Sequence, residues 1–349
     1  MKICHIAPFS PNRCGLYEAA RDMARADINS GNEVIFIDAG ITENGKRQPS
    51  KINAVDNRSG FCLQTGSIRL INLADIIVLH TGVVSDWLVQ TQAPIIWIIH
   101  GRPLACFRPE LQKQGNFYTL YKDLSMWPRT KKFVHFWEEF NDHWKIQIPD
   151  NKLHTIPYPV VDEIQFNPEG TKIDLESSGK YNFLICDSER IDIDLYELMI
   201  GCIKATEKIS GLKFHFFGIT HPIPECWNVL FNRLKDLGGL GMIRGRTPNM
   251  PEVYRAFDCI LSPNRIITRT ISEALSCGLP VICQQGKHKL ADIYCDMSDP
   301  DDIVEAIKLF IEQKNAGINK NEILKRSKVF NMESYSRYMN KIYDELIKK

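Results

Sequence analysis

Asp258-Cys259-Ile260-Leu261-Ser262-Pro263-Asn264-Arg265-Ile266-Ile267-Thr268-Arg269-Thr270-Ile271-Ser272-Glu273-Ala274-Leu275-Ser276-Cys277-Gly278-Leu279-Pro280-Val281-Ile282 is the most informative stretch of this chain. A short apolar run at Cys259–Leu261 reads as a strand and is followed by a polar loop. Residues 270–277 read as a helix, Gly278 stops it, and residues 280–283 form the next strand. Thr268, Arg269 and Thr270 stand at the turn from loop to helix. Backbone N–H groups at a helix start and a guanidinium together can hold a diphosphate. Glu273 lies inside the helix beside Ala274, Leu275 and Cys277, where a carboxylate can bond ribose hydroxyls. The same residues also fit a surface carboxylate and an N-cap threonine.

The strand–helix alternation continues on both sides. Upstream, Phe183–Cys186 and Lys213–Phe217 read as strands, and residues 193–208 and 250–256 as helices. Downstream, helices are expected over 300–313 and 332–348. In the first half, residues 2–7, Val34–Ile37, Asp75–Leu79 and Ile95–Ile99 read as strands, with a helix marked by Leu16, Ala19, Ala20, Met23 and Ala24. Phe133–Trp137 and Leu153–Ile156 are weaker strand candidates. Continuous apolar strands belong to parallel sheets covered on both faces. A polar connector over 162–180 separates the two sets. The expected fold is therefore α/β with two Rossmann-like, doubly wound domains. The boundaries are 1–162, 163–331 and a final helix over 332–349.

Bulk properties narrow the class. The formal net charge is +1 over 349 residues, so no global field argues for a polyanionic partner. Eleven cysteines without a C-x-x-C pair read as reduced thiols in a cytoplasmic protein rather than a zinc site or disulfide framework. Residues 2–7 read as a strand, not a signal peptide. The run Ile95–Ile99 is too short to cross a bilayer, so no transmembrane segment is expected.

The 258–282 stretch resembles the donor-site signature of the GT-B glycosyltransferases, specifically retaining family 4: Pro-Ser, Glu-x7-Glu, then Ala-Met/Leu-x-x-Gly-x-Pro-Val. Glu273 through Ile282 match it. Arg265 stands where the first Glu of the pair belongs, a position the family associates with the transferred sugar. Ile156-Pro157-Tyr158-Pro159-Val160-Val161-Asp162, with Phe166 and Pro168, resembles the family's interdomain segment. Phe216-Phe217-Gly218 resembles its strand-to-glycine turn. Ile243-Arg244-Gly245-Arg246, with Met250, Tyr254 and Asp258, resembles the stretch around its base pocket. Ile98-Ile99-His100-Gly101 resembles the strand that delivers a histidine to the cleft. The last helix, with Tyr335, Tyr338, Met339 and Tyr343, resembles the helix that returns to the first domain.

The resemblance implies two domains facing a cleft and retaining transfer of a sugar from a nucleotide-sugar donor to a hydroxyl. His100 would face the reacting sugar. Arg190, Arg269 and the Thr268–Thr270 turn would hold phosphate, and Glu273 the ribose. Gly15, Gly218, Arg246 and Arg265 complete the expected donor side. The family's phosphate-binding Lys has no counterpart after Arg190; Arg269, Arg265 or Arg246 could compensate. No metal or other cofactor is expected. Asp192 and Asp194 read as acids at a helix start rather than as metal ligands. His80 and His215 read as structural. The loop over 8–15, with Gly15, would let backbone approach a ligand.

Residues 101–132 are basic and interleaved with Phe107, Phe117, Tyr118, Tyr121 and Trp127. Arg102, Arg108 and Tyr118 are the acceptor-side candidates. Such a segment suits an anionic acceptor, including DNA with an exposed base, or an anionic membrane surface. It equally suits a solvated loop with its aromatics in the core. By family precedent the acceptor is a glycan or lipid-linked glycan. The other reading is a non-catalytic nucleotide-binding or scaffold protein that kept the GT-B shell.

Overall fold

The computed structural model describes residues 1–7, 15–38, 60–62, 67–80, 90–101, 103, 117–186, 195–219, 223, 225–245, 247, 249–286 and 288–347. The chain forms two compact units: Met1–Val160 with Asn331–Lys349, and Val161–Phe330. The second unit's ends lie side by side, with Val161 N donating to Phe330 O at 2.8 Å.

The first unit opens with β1 (Lys2–Ala7), α1 (Gly15–Asn29), β2 (Glu33–Asp38), β3 (Gly60–Cys62) and α2 (Ser67–Ile71). It continues with β4 (Ile76–His80), β5 (Ile95–Ile99), α3 (Phe117–Met126), β6 (Thr130–Phe136), α4 (Asn141–Lys145) and β7 (Leu153–Ile156). The strands form one sheet in the order β3-β2-β1-β4-β5-β6-β7, and all pairs are parallel. Both faces are covered, which explains the unbroken apolar runs of β4 and β5. Cys4, Ile6, Ile77, Leu79, Trp97, Ile99 and Phe133 share one core. On the other face, Ala7 and Phe36 pack with Ala20 and Ala24 of α1. The small α1 residues let that helix lie close to the sheet.

The second unit begins with β8 (Tyr181–Ile185), α5 (Leu195–Lys208), β9 (Leu212–Phe217), α6 (Glu225–Asp236), β10 (Leu240–Arg244) and α7 (Met250–Ala256). It ends with β11 (Cys259–Ser262), α8 (Arg269–Ser276), β12 (Val281–Gln284), β13 (Ile293–Cys295), α9 (Pro300–Ala316) and α10 (Lys320–Ser327). Among the described residues its six strands run β10-β9-β8-β11-β12-β13, again all parallel. Phe183, Phe214, Phe216, Leu198, Ile303 and Phe310 anchor the core. The expected elements do not include α6, β10, β13 or α10. β13 has three residues, and α6 mixes core residues Phe231 and Leu234 with exposed Val229.

A last helix, α11 (Met332–Ile347), belongs to the first unit. It is tied to α1: Ser336 Oγ donates to Ala26 O at 3.2 Å, and Tyr343 Oη donates to Asp27 Oδ2 at 2.8 Å. Its far end pairs Glu345 with Lys132 of β6 at 2.6 Å. Six of the described cysteines (Cys4, Cys202, Cys259, Cys277, Cys283 and Cys295) are buried. Burial pushes the Cys277 thiol up to about 12, so it stays protonated.

His215 of β9 is fully buried. Its Nδ1 accepts from Met242 N at 3.1 Å, which requires a neutral ring at that atom. Burial, helped by the charge of Lys213, lowers its pKa to about 4. The unfolded chain, near 6.5, therefore takes up this proton first as pH falls. The resulting stability is whole above about pH 6.5 and is lost toward pH 4. At pH 5 the expected loss is on the order of 1–2 kcal/mol from this group. Urea midpoints at pH 7.5 and 5 should differ less in His215→Gln than in the parent. Equal differences would refute the assignment.

Candidate functional site

In the second unit, β8 leads through α5 to β9 on one side, while β11 leads through α8 to β12 on the other. Adjacent β8 and β11 thus diverge at their C-terminal ends, and such a switch point opens the ligand crevice of a doubly wound sheet. The 263–268 loop leaves β11 there. Thr268 is extended (φ −74, ψ 169) and stands at the N-cap of α8, but its side chain does not cap the helix. Its Oγ1 lies 2.8 Å from Thr270 Oγ1, while Ser272 N and Oγ both donate to its carbonyl, at 3.0 and 3.1 Å.

Glu273 is only 5% exposed, so it is no surface carboxylate. Its Oε1 lies 2.6 Å from Arg269 Nε, an i,i+4 pair on one helix face. Its Oε2 accepts from Tyr254 Oη at 2.9 Å. Burial first, then the Glu273 charge, pushes the Tyr254 phenol well above its ordinary range, so the hydroxyl remains a donor. Phe166 closes the cluster, with its ring centroid 5.9 Å from the Arg269 guanidinium and 6.3 Å from the Tyr254 ring. A buried carboxylate is costly unless paired and hydrogen-bonded, and Glu273 is both.

The structure brings Thr268, Arg269, Thr270 and Glu273 onto one short helix start. Arg269, expected to hold phosphate, reaches Glu273 instead of standing alone. Arg265 is exposed. Gly218 ends β9, the strand beside β8, with φ +89, a conformation that favours glycine. Arg190, Arg246, Asp192 and Asp194 lie outside the described residues. Tyr254 and Phe166 entered the sequence reading only through the resemblance, not as site residues. Nothing in their local pattern signals Glu273, 19 positions beyond Tyr254.

In the first unit the corresponding switch point lies between β1 and β4. Gly15 is the exposed first residue of α1. His100 directly follows β5, half-buried, with its Nε2 2.8 Å from His80 Nδ1. His80 is thus tied to a candidate site residue, which its reading as structural did not anticipate. Arg102 and Arg108 lie outside the described residues, as does the side chain of Tyr118. The described part of the basic segment favours the plainer alternative. Tyr121 is buried, edge-on to Phe133 and Trp144. Trp127 packs against the same core, Arg129 donates to Gln92 O and Lys132 pairs with Glu345.

A cavity of about 280 Å³ in the second unit is lined by Lys172, Arg255, Asp258, Gly278, Lys314 and Lys320 among others. It lies at the N-terminal ends of β11 and β12, away from the switch point. Among the described residues, no helix is long and apolar enough to cross a membrane.

No protein-family model matches the chain, and no curated protein sequence does. Solved structures do match over its whole length. The pneumococcal O-GlcNAc transferase GtfA, in complex with UDP and GlcNAc, superposes with a TM-score of 0.70 at 11% identity, covering 100% of this chain and 99% of that one. Anabaena Alr3699/HepE in complex with UDP gives 0.68 at 13%, covering 99% and 100%. An alpha-glucosyltransferase in complex with UDP and a 13-mer DNA containing an HMU base gives 0.68 at 13%, covering 100% of both. At these identities the likeness shows the fold: two Rossmann-like domains, as in the GT-B glycosyltransferases.

Proposed function

We propose that the protein is a glycosyltransferase that moves a sugar, with retention, from a nucleoside-diphosphate donor to a hydroxyl acceptor, without a metal or other cofactor. The observation that carries this reading is the buried Arg269–Glu273–Tyr254 cluster at the switch point of the second sheet. It supports a nucleotide site because it fixes a carboxylate for ribose beneath a helix start suited to diphosphate. The UDP held by GtfA and Alr3699/HepE agrees with that choice.

The proposed step is a front-face displacement. The acceptor oxygen bonds to the anomeric carbon as the bond from that carbon to the diphosphate breaks. The electron pair leaves with the diphosphate, which takes the acceptor's proton. The protein orients both substrates and stabilises the leaving charge. The Thr268–Thr270 turn, Arg190 and the Arg269–Glu273 pair serve the donor, and His100 faces the sugar. The acceptor is a glycan or lipid-linked glycan, or a hydroxylated base in DNA; the DNA-bound neighbour keeps the last in view. A cytoplasmic location and contact with a membrane surface belong to the same proposal. A non-catalytic nucleotide-binding shell is the second reading, favoured by Arg265 at the position of the family's first Glu.

Donor hydrolysis across UDP-, GDP-, ADP-, CMP- and dTDP-sugars, with and without EDTA, is the test. One donor should be cleaved regardless of EDTA and raise the melting temperature. Binding without cleavage, with glycan, lipid-linked and hydroxymethylated DNA acceptors all supplied, would favour the second reading. No response to any nucleotide would overturn both.

A further inference from the structure

Three histidines of the first unit form one hydrogen-bonded chain. His5 pairs with Val78 across β1 and β4, and His80 stands two residues beyond Val78. His80 pairs with Ile98 across β4 and β5, and His100 stands two residues beyond Ile98. Two-residue steps keep side chains on one sheet face and advance each ring about 6.6 Å along its strand. The rings therefore climb diagonally toward the C-terminal edge. His5 Nδ1 lies 2.9 Å from His80 Nε2, and His80 Nδ1 lies 2.8 Å from His100 Nε2. Successive rings stack at 5.2 and 5.1 Å.

The inner end is anchored on α1. His5 Nε2 lies 2.8 Å from Asp27 Oδ2, and Tyr343 of α11 donates to that same oxygen at 2.8 Å. His5, His80, Asp27 and Tyr343 are wholly buried. Burial first, then the Asp27 charge, holds the Tyr343 phenol well above its ordinary range, so it remains a donor. Asp27 Oδ2 is therefore an acceptor, and His5 Nε2 must carry a hydrogen. Burial, then His100 and His5, hold His80 well below its ordinary value, so its ring is neutral. A neutral His80 carries one hydrogen, so it donates to one neighbour and accepts from the other. If Asp27 keeps the single hydrogen of His5 on Nε2, then His80 Nε2–H donates to His5 Nδ1 and His100 Nε2–H donates to His80 Nδ1.

We infer that Asp27, acting through His5 and His80, is a positioning residue that holds His100 as its Nε2–H tautomer and makes its Nδ1 the accepting nitrogen. Its use in catalysis rests on the reading that His100 faces the reacting sugar. An accepting Nδ1 selects a hydroxyl of donor or acceptor as its partner, and a wrong tautomer at such a position abolishes the contact. A role confined to satisfying buried polar atoms makes no demand on the outermost ring.

The test is the side-chain ¹⁵N NMR spectrum of the full-length protein with labelled histidine, at neutral pH and without substrate. In the parent, His5, His80 and His100 should each show hydrogen on Nε2 and a bare Nδ1. Hydrogen on Nδ1 of His100 overturns the inference at once. Asp27→Leu removes the anchor, and His80→Phe cuts the chain while leaving the Asp27–Tyr343 contact. In whichever variant folds, His100 should populate both tautomers; an unchanged His100 signature also overturns it. The spectrum requires no turnover, so failure of the glycosyltransferase reading would show in donor hydrolysis and leave this result standing.

Discussion

Glu273→Leu should destabilise the second unit by about 3–5 kcal/mol and abolish nucleotide binding. Removing one partner of a buried pair leaves the other charge uncompensated, which is the costly half of such an arrangement. Here Arg269 would lose its 2.6 Å partner and Tyr254 its acceptor. Stability alone cannot separate scaffold from site, so the informative variant is Glu273→Leu/Arg269→Met/Tyr254→Phe. Replacing the whole polar cluster with apolar groups should restore most of the urea midpoint, since buried ion pairs are often replaceable without loss. It should not restore calorimetric binding of UDP or whichever nucleotide the parent prefers. Recovery of that binding in the triple variant would make the cluster purely structural.

Gly286→Ala is the second variant with a large expected effect, at a residue given no ligand contact of its own. A Cβ built on Gly286 would overlap the carbonyl oxygen of Arg265, a backbone atom that no side-chain rotation can clear. The 263–268 loop would have to move by about an ångström to regain ordinary van der Waals separation. A misplacement of that size can cost on the order of 10²-fold in rate when geometry carries the chemistry. Donor turnover should therefore fall by about that factor while far-UV circular dichroism stays unchanged. Parent-like turnover would show that this loop does not position the donor.

Much of the architecture could be read from the chain alone because its signal is local. Apolar runs such as Ile95–Ile99, the glycine stop at Gly278 and the 3.6-residue spacing around Ala20 and Ala24 each report on a few neighbouring residues. They placed the helix at Arg269–Ser276 within one residue and announced two doubly wound sheets. Three-residue β13 carries no period of its own, whereas Trp227, Leu230, Phe231 and Leu234 of α6 do recur at helical spacing on its core face.

The site divided along the same line. Glu273 and the Thr268–Thr270 turn are contiguous, so a motif could carry them. Tyr254 reaches Glu273 only because α7 and α8 flank β11, and Phe166 arrives from the connector. The histidines show the limit most clearly. His5, His80 and His100 each stand in or just after an apolar strand run; the resemblance marks His100 for the site, while His80 reads as structural and nothing local marks His5. Strand order placed β1, β4 and β5 side by side, and register set each ring two residues above the last. Order and register are long-range properties, decided by packing across the sheet. The resemblance named His100; the tertiary pairing joined it to Asp27.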